Sequence, residues 1–241
     1  MTFAGILAGG TGTRMATSSG MPKQFLDVRG VPIIVRTIRR FFELGNMVDS
    51  VIIAMHPSWH EYAHDILIRH GIDADIIKLI NGGATRFDSL VNLATACATA
   101  ADAAGYKDDI FLINHDCARP FVSKEILVKN LEMARRHDMV TTSMPTIDTV
   151  LISADGKTSD CVPERSTVFL DQGPQTVRVR HFLSLVDSLS SEERAKYMEA
   201  GRLYIDKGFK VGIVPGDRLN FKVTTPIDLV LAEQLAAQGL V

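Results

Sequence analysis

A glycine-rich segment that directly follows a short apolar run most strongly constrains the fold of this chain. Residues 3–7 have the composition of a strand buried in a parallel sheet. Residues 7–24 then read LAGGTGTRMATSSGMPKQ, and their glycines allow a sharp turn and close approach of the backbone to a ligand. Free amides in such a turn bind anions, and Arg14 and Lys23 add two positive charges. The segment therefore predicts a loop that binds the phosphates of a nucleoside triphosphate.

Two common glycine motifs do not match this segment. The dinucleotide-binding fingerprint requires a third glycine at the position that Met15 occupies. The P-loop requires Gly-Lys-Ser or Gly-Lys-Thr, and neither tripeptide occurs in the sequence. A dinucleotide-dependent oxidoreductase is therefore disfavoured, although the absence of NAD binding would have to be measured to exclude it.

Length and composition limit the classes of protein further. A chain of 241 residues is long enough for one large α/β domain over residues 1–241. Its net charge of −2 argues against a nucleic-acid partner, and its sequence has no apolar run of membrane-spanning length or signal peptide. Cys97, Cys117 and Cys161 are widely spaced without a metal-binding pattern, so we expect free thiols and a cytoplasmic location.

Short apolar runs alternate with helical patterns along most of the chain. This order predicts the α/β class, with a mostly parallel sheet covered by helices on both faces. The predicted strands are residues 3–7, 51–55, 76–80, 110–114, 140–144 and 211–214. Four helix starts are predicted from a capping residue followed three positions later by an acid: Ser58 with Glu61, Thr85 with Asp88, Ser190 with Glu193, and Thr225 with Asp228.

Residues 146–176 interrupt this alternation. They are rich in Asp, Ser, Thr and β-branched residues, and Asp155-Gly156 is typical of a hairpin turn. The segment predicts a β-arm that leaves the main sheet and cannot bury its own faces. Such an arm usually packs on a partner chain.

Asp116 is the first candidate for chemistry outside the glycine-rich loop. It follows the strand predicted at residues 110–114, and open α/β sheets bind ligands at the carboxyl ends of their strands. Alone, this aspartate would more often cap the next turn, but beside a triphosphate loop its carboxylate is a natural ligand for Mg²⁺. Lys222 lies in an apolar strand end, where a lysine is expected to face an anion although most lysines are solvated.

The strings described so far, together with Met21-Pro22-Lys23-Gln24 and Asn220-Phe221-Lys222-Val223-Thr224, resemble one family. It is the cytidylyltransferase family that includes ribitol-5-phosphate and 2-C-methyl-D-erythritol 4-phosphate cytidylyltransferases, and the resemblance extends from Leu7 to the last helix. It implies a Rossmann-like three-layer sandwich of the nucleotide-diphospho-sugar transferase type, CTP and an alditol phosphate as substrates, Mg²⁺ as cofactor, and a homodimer that exchanges β-arms.

The resemblance also implies roles for individual residues. The residues implied to be catalytic are Arg14, Lys23 and Lys222. Nucleotide-binding roles fall to Leu7, Ala8, Gly9, Gly10, Thr11, Gly12, Gly82, Gly83, Arg86, Ser89 and Asp116, with the metal on Asp116. Acceptor-binding roles fall to Arg119, Thr149 and Arg165. Gly82–Ser89 could also be a simple capped turn, and Arg165 could be a surface partner of Glu164 or Asp160.

The acceptor is expected to be ribitol 5-phosphate, with methylerythritol 4-phosphate as the alternative. The opening Leu-Ala-Gly-Gly and the string Met-Pro-Lys-Gln-Phe-Leu resemble the ribitol branch more closely. Gly173 departs from the family, which has threonine before Pro174-Gln175, and the loop between Arg14 and Pro22 is longer than usual. A non-catalytic nucleotide sensor is the remaining alternative, and it could have lost Lys23, Asp116 or Lys222, all of which are present.

Overall fold

A computed structural model describes residues 1–10, 20–73 and 76–240. Its strands are β1 (Thr2–Leu7), β2 (Asp27–Val28), β3 (Val31–Pro32), β4 (Ser50–Met55), β5 (Ile77–Asn81), β6 (Phe111–Asp116), β7 (Met139–Pro145), β8 (Phe169–Arg178) and β9 (Gly212–Pro215). Its α-helices are α1 (Ile33–Phe42), α2 (His60–Arg69), α3 (Arg86–Ala103), α4 (Lys124–Ala134), α5 (Val179–Asp187), α6 (Ser191–Arg194), α7 (Ala200–Asp206) and α8 (Pro226–Ala237).

In the described part of the chain, a seven-stranded sheet has the order β5-β4-β1-β6-β8-β7-β9. Strand β1 pairs in parallel with β4 and β6, β4 with β5, and β7 with β9. Strand β8 runs antiparallel to both of its neighbours, β6 and β7. The predicted mostly parallel α/β sheet is thus confirmed, and each of the six predicted strands corresponds to a strand of this sheet within two residues at either end.

Helices cover both faces of the sheet, as the apolar patterns predict. One core cluster packs α1, α2 and α4 on one face, with Ile33, Leu67 and Leu127 among its buried side chains. The other cluster packs α3, α5 and α7 on the opposite face around Phe87 and Phe182, whose rings meet edge to face. Burial on both faces explains why the strand sequences are continuously apolar rather than alternating.

Three of the four predicted capping boxes are present. At the starts of α3, α6 and α8, the acid at the third helical position accepts a hydrogen bond from the backbone of the capping residue. The fourth prediction is wrong, because α2 begins at His60 and Ser58 lies in a short 3-10 turn. The Ser58 amide donates to Nδ1 of His56 instead, so a histidine supplies the local cap.

The predicted arm is shorter than residues 146–176. From Phe169 onward the chain forms β8, which lies between β6 and β7 in the main sheet, so the last part of the prediction is wrong. The reason is that β8 is antiparallel and begins with exposed residues, so its sequence lacks the apolar run that marks the parallel strands. Residues 146–168 do leave the sheet, and Ile152 pairs with Cys161 across the tip.

No helix in the described ranges is long and apolar enough to cross a bilayer. All three cysteines are free: Cys97 and Cys117 are buried and Cys161 is exposed.

Candidate active site

A cavity of about 420 Å³ opens at the carboxyl edge of the sheet, where the parallel strands β1, β4, β5 and β6 end. This is the edge at which open α/β sheets bind ligands. The described residues that line the cavity are Leu7, Ala8, Gly9, Gly10, Lys23, Gln24, Gly83, Ala84, Thr85, Arg86, Ser89, Asp116, Cys117, Ala118, Lys222 and Thr224. Most residues predicted to bind the nucleotide are therefore brought together from segments far apart in the chain.

The start of the glycine-rich loop is held by main-chain and side-chain hydrogen bonds. The Ala8 amide donates to the Ala54 carbonyl at 2.8 Å, which continues the pairing of β1 with β4. The buried side chain of Gln24 donates from Nε2 to the Ala8 carbonyl at 2.9 Å. Gly9 and Gly10 are exposed at the cavity. Thr11, Gly12 and Arg14, which carry part of the prediction, lie outside the described residues.

Lys23 lies in a short 3-10 turn, Lys23–Phe25, that is anchored to the core. The Phe25 ring packs against Trp59 and Tyr62 at centroid distances of 5.5 and 5.0 Å. Nζ of Lys23 donates to the Val223 carbonyl at 3.0 Å, 200 residues further along the chain. This contact ties the end of the glycine-rich loop to the segment that carries Lys222.

Asp116, the last residue of β6, accepts charged hydrogen bonds from two sides of the cavity. Nζ of Lys222 donates to Oδ2 at 2.6 Å, and Nε of Arg86 donates to Oδ1 at 3.2 Å. Nε of Arg119 lies 4.0 Å from Oδ2. Burial alone would raise the pKa of Asp116, but the charges of Arg86 and Lys222 outweigh it and hold that pKa well below its usual range. The carboxylate is therefore ionised throughout the neutral range.

The residues fit a magnesium site of the kind that substrate phosphates complete. Asp116 is the one carboxylate among the described residues that line the cavity, and no group of three or more His, Cys, Asp or Glu side chains forms a cage in that part of the chain. Mg²⁺ in phosphate-transfer sites is commonly held by one or two carboxylates together with the phosphates of the substrate. Asp116 would be the protein ligand.

The segment from Gly83 to Ser89 forms one wall of the cavity. Oγ1 of Thr85 accepts from the Asp88 amide at 3.0 Å, while the Asp88 carboxylate accepts from the Thr85 amide at 3.2 Å. A Cβ on Gly83 would lie 2.2 Å from Cβ of Asp88, so only glycine fits where the turn folds back on the helix. The capped turn and the binding wall are thus one structure, as both interpretations of the sequence allow.

The hydroxyl of Ser89 is oriented by two hydrogen bonds within this wall. Oγ donates to the Thr85 carbonyl at 3.0 Å and accepts from the Gly83 amide at 3.0 Å. Because its hydrogen is committed, the hydroxyl can offer only its remaining lone pair to the cavity. Such a group accepts a hydrogen bond from a ligand and does not donate one. Gly82 lies next to the wall, with its amide bonded to the Met55 carbonyl at 2.8 Å, but it does not line the cavity.

His115 and Cys117 flank Asp116 but are buried away from solvent. Burial lowers the pKa of His115 to about 4, and Nε2 is 2.9 Å from the Arg119 carbonyl, so the ring is neutral at neutral pH and donates there. Burial raises the pKa of the Cys117 thiol above its usual range. A neutral buried ring and a protonated buried thiol are not prepared for nucleophilic attack.

The sequence of the chain matches the model of one protein family. The model for IspD, 2-C-methyl-D-erythritol 4-phosphate cytidylyltransferase, matches residues 3–238. The chain belongs to this family. It is therefore a nucleotidyltransferase of the cytidylyltransferase type.

Solved structures of the family share the fold. A 4-diphosphocytidyl-2C-methyl-D-erythritol synthase from Anaerococcus prevotii is 23% identical with a TM-score of 0.77, over 98% of this chain and 96% of that one. The cytidylyltransferase from Thermus thermophilus is 26% identical with a TM-score of 0.70, over 98% and 100%. The enzyme from Francisella tularensis is 23% identical with a TM-score of 0.77, over 97% and 98%. The expected likeness to the ribitol branch is not confirmed by these comparisons.

The residues predicted to bind the family's acceptor do not line the cavity. Arg119 is largely buried behind Asp116, where Nη1 donates to the Asn220 carbonyl at 2.7 Å. Thr149 and Arg165 lie in the arm, and Nη1 of Arg165 reaches the Ile147 carbonyl at 3.5 Å. In this single chain most residues predicted to bind the nucleotide meet at the cavity and Arg119 lies behind Asp116, whereas Thr149 and Arg165 lie apart from them in the arm.

Gln24 is a positioning residue that was not among the site residues predicted from the sequence. It lines the cavity and holds the Ala8 carbonyl in place. The string Pro22-Lys23-Gln24 could have indicated it, because it places a polar residue directly after Lys23, which is predicted to be catalytic. Asp228 was also not predicted to belong to the site. Its Oδ2 accepts a hydrogen bond from the Thr224 amide at 2.9 Å, and this bond fixes the segment after Lys222.

Proposed function

We propose that this protein transfers CMP from CTP to 2-C-methyl-D-erythritol 4-phosphate and releases pyrophosphate. The family match over residues 3–238 carries this proposal. The cavity supports it, since a single carboxylate, Asp116, is surrounded by the cations that a triphosphate requires.

The reaction needs no covalent enzyme intermediate. An oxygen of the acceptor phosphate attacks the α-phosphorus of CTP, forms the new P–O bond, and the α–β bridging P–O bond breaks to release pyrophosphate. The attacking phosphate is already an anion, so no general base has to remove a proton. Catalysis then consists of positioning the two phosphates in line and neutralising charge in the transition state.

Lys23, Lys222 and Arg86 supply that neutralisation. Lys23 and Lys222 converge on the cavity from opposite ends of the chain, and each is held by a hydrogen bond to a defined oxygen. Arg86 offers a planar fork whose Nε faces Asp116 and whose buried Nη1 has no hydrogen-bond partner among the described residues. An unpartnered buried donor of this kind is available to donate a hydrogen bond to a phosphate oxygen. When bound at Asp116, Mg²⁺ would supply further charge neutralisation at the phosphates.

The wall formed by Gly83 and Ser89 is suited to cytosine. The oriented Ser89 hydroxyl presents a lone pair, which accepts a hydrogen bond from an amino group but repels a carbonyl oxygen. Cytosine carries an amino group where uracil carries a carbonyl.

Ribitol 5-phosphate remains a second candidate for the acceptor because of Gly173. Gly173 has φ of +68°, and a Cβ there would lie 3.8 Å from Nδ1 of His115. That Nδ1 has no hydrogen-bond partner among the described residues. This φ disfavours the β-branched threonine of related enzymes, so the backbone before Pro174 in this chain departs from the family pattern.

We infer that the chain acts as one catalytic domain with a dimerisation arm, and that the arm contributes to the site of a second copy. Residues 146–168 expose large apolar side chains, with Ile147 60%, Leu151 63% and Val162 60% accessible. Apolar surface of this extent on a protruding segment is typical of a covered interface. Packing on a partner would carry Thr149 and Arg165 away from their own cavity to the cavity of the second copy.

The cytoplasmic location of the protein stays a prediction.

Pyrophosphate release tests the proposed function. The enzyme would be incubated with Mg²⁺, with CTP, UTP or ATP, and with methylerythritol 4-phosphate or ribitol 5-phosphate. We expect turnover with CTP and methylerythritol 4-phosphate and a kcat/KM at least about tenfold lower with UTP, the effect of one misplaced hydrogen bond. Higher kcat/KM with ribitol 5-phosphate would establish the second candidate, and no pyrophosphate with any pair would refute both.

A further inference from the structure

A polar cluster lies beside the active site on the face of the sheet that carries α7. Asp171 is near the start of β8, directly opposite Ser143 of β7, so the two side chains share a face. Glu199 is the N-cap residue of α7 and packs over this face. Its carboxyl group and that of Asp171 both accept a hydrogen bond from Nε2 of Gln175. We call Asp171 and Glu199 the carboxyl pair.

Two neighbours hold the carboxyl pair in place. The Thr141 hydroxyl donates to Oδ1 of Asp171. Nε2 of Gln175 donates to Oδ2 of Asp171 at 2.9 Å and to Oε2 of Glu199 at 3.2 Å. Gln175 is 1% exposed, whereas Asp171 is exposed to solvent. An exposed carboxylate that is fixed by a buried amide is preorganised for contact with a ligand.

Buried polar atoms without partners adjoin the carboxyl pair. Oε1 of Gln175, on the amide that points into the pair, has no hydrogen-bond partner in the described part of the chain. The same holds for the hydroxyl of Ser143, which is 4% exposed and opposite Asp171. Buried polar groups normally have partners, so these two atoms indicate that a polar ligand completes the cluster.

The cluster lies at the same edge of the sheet as Asp116. Asn114 of β6 pairs with Gln175 of the antiparallel β8, so the residues of β8 before Gln175 extend toward and past the end of β6. Burial raises the pKa of Glu199, and the negative charge of Asp171 raises it further. The positive charge of Arg86 acts in the opposite direction and lowers this pKa. The carboxyl pair therefore lies at the carboxyl edge of the sheet, on the β8 side of Asp116.

We propose that Asp171 and Glu199 bind hydroxyl groups of the polyol portion of the acceptor. This inference rests on the proposed function, in which the acceptor is a phosphorylated polyol. The acceptor phosphate has to lie among the cations around Asp116, so its carbon chain must extend to one side of them. The carboxyl pair offers acceptors for hydroxyl hydrogens, and Ser143 and Gln175 offer further polar atoms for the same groups.

A metal ion fits this cluster less well than hydroxyl groups. The carboxyl oxygens already accept three hydrogen bonds. One comes from the Thr141 hydroxyl and two come from Nε2 of Gln175. Their positive ends face the space that a cation would occupy, and the charge of Arg86 lies nearby. A hydroxyl group both donates and accepts, so it can use the remaining lone pairs without this repulsion.

Steady-state kinetics with two acceptors tests the proposal. The variants are Asp171→Asn and Glu199→Gln, and the acceptors are the polyol phosphate that the wild type uses best and glycerol 3-phosphate, which has fewer hydroxyls. We expect KM for the longer polyol phosphate to rise roughly tenfold or more, as for loss of a hydrogen bond to a charged group, with KM for CTP within twofold. The penalty should largely disappear with glycerol 3-phosphate, because the contacted hydroxyl is missing from it.

Asp206→Asn is the matched control, since Asp206 ends α7 in an exposed ion pair with Arg202. It should leave every KM within twofold. An equal penalty on both acceptors, or an effect confined to CTP, would overturn the proposal and leave a structural role for the carboxyl pair. A shifted Mg²⁺ titration with unchanged acceptor KM would also overturn it in favour of a cation site. Absence of turnover by the wild type with every polyol phosphate would instead refute the proposed function.

Discussion

Nζ of Lys222 lies 2.6 Å from Oδ2 of Asp116, a contact that joins the end of β6 to a segment 106 residues later. This ion pair lies in the cavity together with Arg86. The Asp116 side chain is mostly buried, and the positive charges of Arg86 and Lys222 hold the pKa of its carboxyl well below its usual range. Loss of Asp116 would leave Lys222 and Arg86 without their shared negative partner.

Asp116→Asn should lower kcat by roughly 10²–10³ and should weaken the response to Mg²⁺, because a neutral amide is a poor ligand for a hard cation. A chelator should abolish wild-type activity, and restored Mg²⁺ should return it. Pyrophosphate release over a Mg²⁺ titration measures both effects. An unchanged Mg²⁺ midpoint in Asp116→Asn would remove this residue from the metal site.

Lys23→Ala and Arg14→Ala should each lower kcat by roughly 10²–10³, the usual cost of losing one charged donor from a desolvated site. Lys107→Ala is the matched control, because Lys107 is exposed and does not line the cavity. The measurement is kcat with saturating CTP. If either variant retained wild-type kcat, the glycine-rich loop would not bind the reacting phosphates.

Gly83→Ala should destabilise the protein and raise KM for CTP. The new Cβ would lie 2.2 Å from Cβ and 2.7 Å from C of Asp88, so the turn must shift. Overpacking of this kind costs about 1–3 kcal/mol in the free energy of unfolding. Gly201→Ala is the control, since its Cβ would meet only Cε of Met139 at 3.5 Å. Urea denaturation compares the two, and equal stabilities would show that the Gly83 turn can relax.

The free energy of unfolding should fall as the pH falls from 7 toward 5. Burial lowers the pKa of His115 to about 4, below its value in the unfolded chain, so the unfolded state binds a proton that the folded state does not. The stability present above the unfolded pKa is lost progressively on acidification, by up to about 2 kcal/mol at pH 5. Urea denaturation of His115→Gln should show a weaker pH dependence, whereas the exposed-site variant His64→Gln should keep that of the wild type.

Mixing Lys23→Ala with Arg165→Ala should restore activity if the arm crosses a dimer interface. In a heterodimer one site carries both lesions and the other carries neither, so random exchange should recover up to about a quarter of native activity. Arg165→Ala alone should mainly raise KM for the acceptor. Pyrophosphate release after verified subunit exchange is the readout. Exchange without recovery would show that each site is built within one chain.

Most of the sheet could be predicted because its parallel strands are buried on both faces. Apolar runs such as residues 51–55 and 110–114 indicate strands without knowledge of their neighbours. Strand β8 could not be found in this way, because its first residues are exposed polar or surface apolar groups and its antiparallel pairing depends on distant strands. The same limit explains why residues 169–176 were assigned to the arm.

The sequence by itself determined the α/β class, the helix caps at Thr85, Ser190 and Thr225, and the family, since these depend on short-range patterns and backbone chemistry. Only the tertiary structure decided which charges meet. The contacts of Asp116 with Lys222 and Arg86, and that of Gln175 with Glu199, join segments whose separation along the chain carries no signal. Sheet order and helix packing bring these groups together, and the charges of Arg86 and Lys222 then lower the pKa of Asp116.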